Sequence, residues 1–144
     1  MRGRGAADIM RAMLVRDIGE FELIGELAQI VRDAGAGAVE RRSAGGFRLL
    51  ASIGDDAAAW EDPSGVRVLT TDTRVDGTHF HLANTSWRDL GWKAMAVNVS
   101  DVAAMGCAPQ YSVISLGLRG DLPVEGLLDM YRGMGAVCRR HGGK

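Results

Sequence analysis

The stretch from Ser86 to Gly106, SWRDLGWKAMAVNVSDVAAMG, reads as one helix with a start and a stop written into it. Ser86 supplies a hydroxyl that can accept from the free N–H groups of a first turn, and Asp89 stands three residues later in the capping-box position. Gly106 can adopt the left-handed conformation that ends a helix, and Pro109 follows it. Within the helix, Leu90, Ala94, Val97 and Asp101 recur at helical spacing and share one face. That face must be buried against other elements, so the rest of the chain has to supply a layer to receive it.

The flanking segments supply candidates. Leu23, Ile24, Leu27, Ile30 and Val31 predict an amphipathic helix ending near Gly35. Phe47 to Ile53 reads as a strand broken by Gly54-Asp55-Asp56, and Asp62-Pro63-Ser64-Gly65 as a turn. Val66 to Phe80 is β-like, with Val68, Thr70 and Asp72 on one face and Leu69, Thr71 and Thr73 on the other. Asp76-Gly77 is expected to bend it. Tyr111 to Leu118 reads as a further strand. Leu122-Pro123 then opens a last helix whose stripe is Leu127, Leu128, Tyr131, Met134 and Cys138, with Val137 beside it. The order α-β-β-α-β-α predicts an α/β or α+β fold: a mixed β-sheet covered on one face by helices. Residues 1–18 are expected to form a loose amino-terminal tail and residues 19–144 one domain; Met13 is an alternative start.

Three acidic places carry the chemistry. Asp55 and Asp56 are adjacent carboxylates after a strand, a pattern favoured where hard cations such as Mg²⁺ bind, although a polar turn has the same sequence. Asp72 sits among Thr70, Thr71 and Thr73, so that hydroxyls and carboxylate can hold a metal or phosphate oxygens; a solvated edge strand accounts for it equally. Asp101 falls on the apolar face of the long helix, one turn after Asn98, where a carboxylate is costly unless paired, hydrogen-bonded or metal-bound. Capping of a neighbouring element is the structural alternative. Carboxylates drawn from separate elements are what a multi-metal phosphoryl-transfer site needs. No GxxxxGK[ST] loop is present. His79 and His81 lack zinc spacing, and His81 reads as a surface residue.

Composition narrows the partners. A net charge of −1 with scattered Arg and Lys argues against a nucleic-acid partner. No long uncharged apolar run argues for a membrane span, and Cys107 and Cys138 have no CxxC spacing, which fits a reduced cytoplasmic setting.

Taken in order, the blocks resemble a known family. Gly19-Glu20-Phe21-Glu22-Leu23-Ile24, Ile53-Gly54-Asp55-Asp56-Ala57-Ala58, Leu69-Thr70-Thr71-Asp72-Thr73 with Val75-Asp76-Gly77-Thr78-His79-Phe80, and Lys93 to Gly106 are similar to the amino-terminal half of thiamine-monophosphate kinases. The resemblance implies the amino-terminal domain of the aminoimidazole ribonucleotide synthetase-like fold, paired as a homodimer. It implies transfer of the γ-phosphate of ATP to thiamine monophosphate with Mg²⁺, by in-line attack of a substrate phosphate oxygen and without a covalent intermediate. By that resemblance Asp56, Asp72 and Asp101 are Mg²⁺ ligands and Thr70 and Thr71 help hold the metals. His79 touches the thiamine phosphate, Tyr131 contacts ATP, and Asp55 assists from behind. The family continues into a Gly-Gly-Asp strand and a second domain, whereas this sequence closes on His141-Gly142-Gly143-Lys144. The 144 residues are therefore expected to be a fragment without turnover of their own. A sister ATP-dependent synthetase of the same superfamily and a non-catalytic dimerisation remnant are the rival readings.

Overall fold

The computed structural model describes residues 13–35, 48–51, 59–61 and 68–142. Its framework is three α-helices: α1 (Glu20–Asp33), α2 (Trp87–Ala104) and α3 (Val124–His141). α3 packs against both α1 and α2 and carries the centre of the core. Leu127 and Val137 on α3 are fully buried. Leu23 and Leu27 meet the core from α1 and Leu90 and Met95 from α2. Burying a Leu or Val side chain contributes about 1.5–3 kcal/mol, so this shared apolar layer is what holds three helices that would be marginal alone.

The approach of α2 to α3 is set by glycines. A Cβ built on Gly91 would lie 1.8 Å from the Met130 carbonyl oxygen, and one on Gly133 would lie 2.1 Å from that of Arg88. The two backbones therefore touch where side chains ordinarily keep helices 8–10 Å apart. Outside this contact, Arg88 donates through Nε and Nη2 to Asp129 Oδ1, at 3.1 and 2.8 Å. That pair is largely exposed and contributes at most about 1 kcal/mol.

The ends of α2 follow the sequence closely. Ser86 Oγ accepts from the Asp89 N–H at 3.1 Å. The Asp89 carboxylate returns to the Ser86 hydroxyl at 2.7 Å, rather than to the backbone N–H of a full capping box. At the other end, Gly106 has φ 73°. The Cys107 N–H reaches Val102 O and the Gly106 N–H reaches Ala103 O, which is the Schellman pattern. α1 and α3 likewise lie where the periodicity puts them.

The mixed sheet does not form among the described residues. What forms is an antiparallel pair, β1 (Arg48–Ala51) with β2 (Ala59–Glu61), in the register Arg48↔Glu61 and Leu49↔Trp60. β1 lies inside the expected Phe47–Ile53 strand; β2 was not expected. Residues 68–75 carry no regular strand, and Leu69 is 92% exposed. Residues 111–118 are also irregular, with both Val113 and Ile114 exposed, so alternation there does not sort into a buried and a solvated side. A strand is completed by a hydrogen-bonded neighbour, and neither segment has one among the described residues.

The tail also departs from expectation in its last residues. Leu14 bridges Pro123, Val15 N–H donates to Leu122 O at 2.7 Å, and Val124 N–H donates to Met13 O at 2.9 Å. A short 3-10 turn, Val15–Asp17, follows. The backbone of 13–16 is thus tied to the segment that leads into α3, because its N–H and C=O groups find partners there.

Candidate functional site

Two of the three acidic blocks meet. Thr70 Oγ1 donates to Asp101 Oδ2 at 3.0 Å, across 31 residues of sequence. This bond joins the Thr-Thr-Asp segment to the carboxyl-terminal part of α2. Asp72 lies two residues further along, exposed, and its Oδ2 accepts from Arg74 Nη2 at 2.8 Å. Thr71 is exposed beside them. Asp55 and Asp56 lie outside the described residues. Among those described, no group of three or more His, Cys, Asp and Glu is assembled.

Asp101 corrects the sequence reading in one respect. It stands on the stripe that begins at Leu90, yet its side chain is exposed rather than set among apolar groups. The buried positions of α2 are Leu90, Gly91 and Met95, all in its first half. Periodicity places Asp101 on the right azimuth but does not say how far along the helix the partner reaches. Among the described residues its side chain bonds to a hydroxyl rather than capping a neighbouring element. Asn98, one turn earlier, turns its amide back onto the helix: its Nδ2 donates to Ala94 O at 3.0 Å.

The segment after Asp72 is a tight knot. Gly77, with φ 81°, allows the chain to turn so that its N–H meets Phe80 O at 2.8 Å. Asp76 Oδ1 accepts from Leu82 N–H at 3.1 Å, so this carboxylate is structural. The expected bend at Asp76-Gly77 is there. His79 is exposed, and its Nδ1 accepts from Val75 N–H at 3.1 Å. In the neutral ring that bond leaves the proton on Nε2, a donor for an anionic oxygen. His81 is exposed, as a surface residue should be.

Tyr131 sits elsewhere. It is 6% exposed and belongs to the core between the helices. Burial pushes its hydroxyl pKa above the ordinary tyrosine value, so the ring is neutral and serves first as packing.

The donors brought into contact are the Thr70 hydroxyl and the Asp101 carboxylate, with the Thr71 hydroxyl and the Asp72 carboxylate one and two residues along the same segment; all are oxygen. That set suits Mg²⁺, a hard cation that takes one or two carboxylates and keeps water or phosphate in its remaining positions. Arg74 was missed in the sequence, although it stands two residues from Asp72, within reach of a long guanidinium side chain.

Residues 54–144 match the family described as AIR synthase related protein, N-terminal domain. The chain belongs to that family. Its resemblance to thiamine-monophosphate kinases is borne out by curated relatives of that name. The *Bacillus subtilis* protein is 40% identical over 88 residues, covering 60% of this chain and 27% of the relative. The one from *Aquifex aeolicus* is 44% identical over 86 residues, 60% of this chain and 28% of its own length. That of *Corynebacterium glutamicum* is 33% identical over 122 residues, 83% of this chain and 32% of its own. The chain thus spans about a third or less of the length of the curated relatives it matches. Membership supports an AIR synthase-like fold for the domain; the sheet of that fold is not what the described residues build. No helix among them is long and apolar enough to cross a membrane.

Proposed function

We propose that this chain carries the metal- and phosphate-binding part of an enzyme that uses ATP and Mg²⁺ to convert thiamine monophosphate to thiamine diphosphate in the cytoplasm. The observation that carries the reading is the Thr70–Asp101 bond, which brings a hydroxyl-and-carboxylate segment to the end of α2. The names of the curated relatives support the substrate and the reaction class.

In this reading Asp56, Asp72 and Asp101 hold Mg²⁺, with Thr70 and Thr71 beside them. When bound, Mg²⁺ neutralises phosphate charge and so lowers the barrier to in-line transfer. The protein's own part is positioning. Thr70 fixes the rotamer of Asp101 by its hydrogen bond, and the Asp76–Gly77 turn holds His79 with Nε2–H free to donate to the substrate phosphate. Tyr131 is the poorest fit to its proposed role, since a contact with ATP would have to be made by the small surface it retains. A homodimer belongs to the same proposal, and the exposed Leu69 and Val113 are the kind of apolar surface a second copy would cover.

Ligand that binds only the folded state raises stability by RT ln(1 + [L]/Kd), about 2.7 kcal/mol at a hundredfold excess over Kd. Millimolar Mg²⁺ with a non-hydrolysable ATP analogue should therefore raise the melting temperature of the chain, and Asp101→Asn should remove most of the rise. Equal rises in both proteins would take Asp101 out of the site.

A further inference from the structure

The cationic partner of Asp72 among the described residues is Arg74. Arg74 Nη2 donates to Asp72 Oδ2 at 2.8 Å, with the arginine side chain 19% exposed and the aspartate 37% exposed. The same guanidinium is poorly served elsewhere. Its Nε is buried and finds no acceptor among the described residues. Water reaches the aspartate side of the pair and screens it, although the guanidinium is mostly buried, so the pair contributes little. A buried N–H without an acceptor costs at least as much as such a pair returns. The Asp72–Arg74 contact is therefore not a structural rivet. It is a pairing that another cation can displace at small cost.

We propose that Arg74 is the resident counter-cation of Asp72, a positioning residue with which a divalent metal must compete for that carboxylate. This rests on the reading of Asp72 as a metal ligand. The physical reason is charge: a guanidinium hydrogen-bonded to a carboxylate oxygen occupies one of its lone pairs and repels a second cation approaching the other oxygen. Metal binds more readily once the arginine has swung away. The swing also uncovers Nε and restores its missing partner, either water or a phosphate oxygen, to which the planar guanidinium fork is suited. Arg74 thus lowers the affinity of the empty carboxylates for metal alone, and it keeps Asp72 neutralised when no metal is present.

The test is titration of the full 144-residue chain with Mn²⁺, followed by the loss of the free-ion spin signal. Arg74→Gln removes the charge and should tighten Mn²⁺ binding by about fivefold, the effect of roughly 1 kcal/mol of like-charge repulsion near a surface. Arg74→Lys keeps the charge and should bind within about twofold of the unmodified chain. The Arg74→Gln gain should shrink as salt is raised, because the repulsion is screened. Damage to the fold cannot tighten a site, so this readout separates competition from a merely structural role. Unchanged or weaker Mn²⁺ binding by Arg74→Gln, with Asp72→Asn abolishing binding, overturns the role of Arg74 and leaves Asp72 as a ligand. No binding by any of the proteins overturns both readings. If Arg74→Gln does not fold, Arg74→Met carries the same expectation, and failure of both to fold makes Arg74 a structural residue and refutes the proposal.

Discussion

Adding one methyl group to Gly91 should destabilise the packing of the helices, whereas the same change at Gly25 should help. At Gly91 the new Cβ would sit 1.8 Å from the Met130 carbonyl oxygen, 2.7 Å from its carbon and 3.0 Å from its Cα. All of these are backbone atoms inside α3, so none can rotate away. The helices must part by roughly 1 Å or more to restore contact distance, and overpacking of that kind costs about 1–3 kcal/mol, sometimes more. Alanine's better helix propensity returns ~1 kcal/mol, so the net loss for Gly91→Ala is about 0–2 kcal/mol, and larger where the two backbones cannot part. Gly133→Ala should behave alike, with Arg88 O at 2.1 Å. Gly126 faces the Trp87 ring at 2.4 Å, a side chain that can shift, so Gly126→Ala should cost less. Gly25, in α1, has nothing within 4 Å of its would-be Cβ. Gly25→Ala should accordingly stabilise by about 0.5–1 kcal/mol. Urea unfolding with a shared slope gives the four values. The order Gly91 ≈ Gly133 > Gly126 > Gly25 is what the geometry requires. A Gly91→Ala protein as stable as the Gly25→Ala one would show that α2 and α3 do not touch through their backbones.

Two further outcomes follow from local chemistry. Ser86→Ala removes the hydroxyl that accepts from Asp89 N–H and should cost about 1 kcal/mol by the same unfolding measurement, with Ser86→Gly costing only a few tenths. Cys107 is exposed while burial pushes the half-buried Cys138 thiol above its ordinary pKa; since only thiolate reacts, iodoacetamide near pH 8 should label Cys107 first, and equal rates on peptide mapping would contradict the placement of Cys138 against the core.

How much of this was legible from the sequence depended on how local the cause was. Both ends of α2 were, because Ser86, Asp89 and Gly106 act within one turn of their own positions. The stripe of α3 was, because 3.6 periodicity is a property of one segment; Met130, which it omitted, is buried with the rest. The glycines of α3 were read past, since nothing at Gly126 or Gly133 says that another helix will lie against them. Val66–Phe80 and Tyr111–Leu118 have strand-like patterns, but a pattern does not provide the neighbour that makes a strand. For the site, three acidic places taken together suggested a cluster drawn from separate elements, while each alone left a turn, an edge strand or a cap as alternatives; the 3.0 Å bond shows contact between two of the blocks. Asp56 and Asp55 lie outside the described residues.

The position of Asp101 within α2 adds a physical argument about what the end of that helix is for. Asp101 lies in the closing turns of a helix that runs to Ala104, and no basic residue stands in its last turn. The carboxyl end of a helix carries roughly half a negative charge from its unpaired carbonyls, and a carboxylate there is disfavoured by about 0.3–1 kcal/mol. The Schellman bonds of Gly106 and Cys107 satisfy two of those carbonyls but do not change the sign of the field. Thr70 supplies a neutral hydroxyl to Asp101, which orients the carboxylate without cancelling its charge. Arg74, the cation at hand, is engaged with Asp72 instead. The end of α2 is therefore a place where negative potential from helix and side chain add and no basic residue in the last turn of α2 answers them. A divalent cation would be attracted by both. Because α2 is a rigid rod held at Gly91, ten residues or about 15 Å from Asp101, the glycine contact in the core also sets where that carboxylate stands relative to Thr70. Gly91→Ala should thus weaken the response to Mg²⁺ as well as the fold, even though it lies far from any ligand.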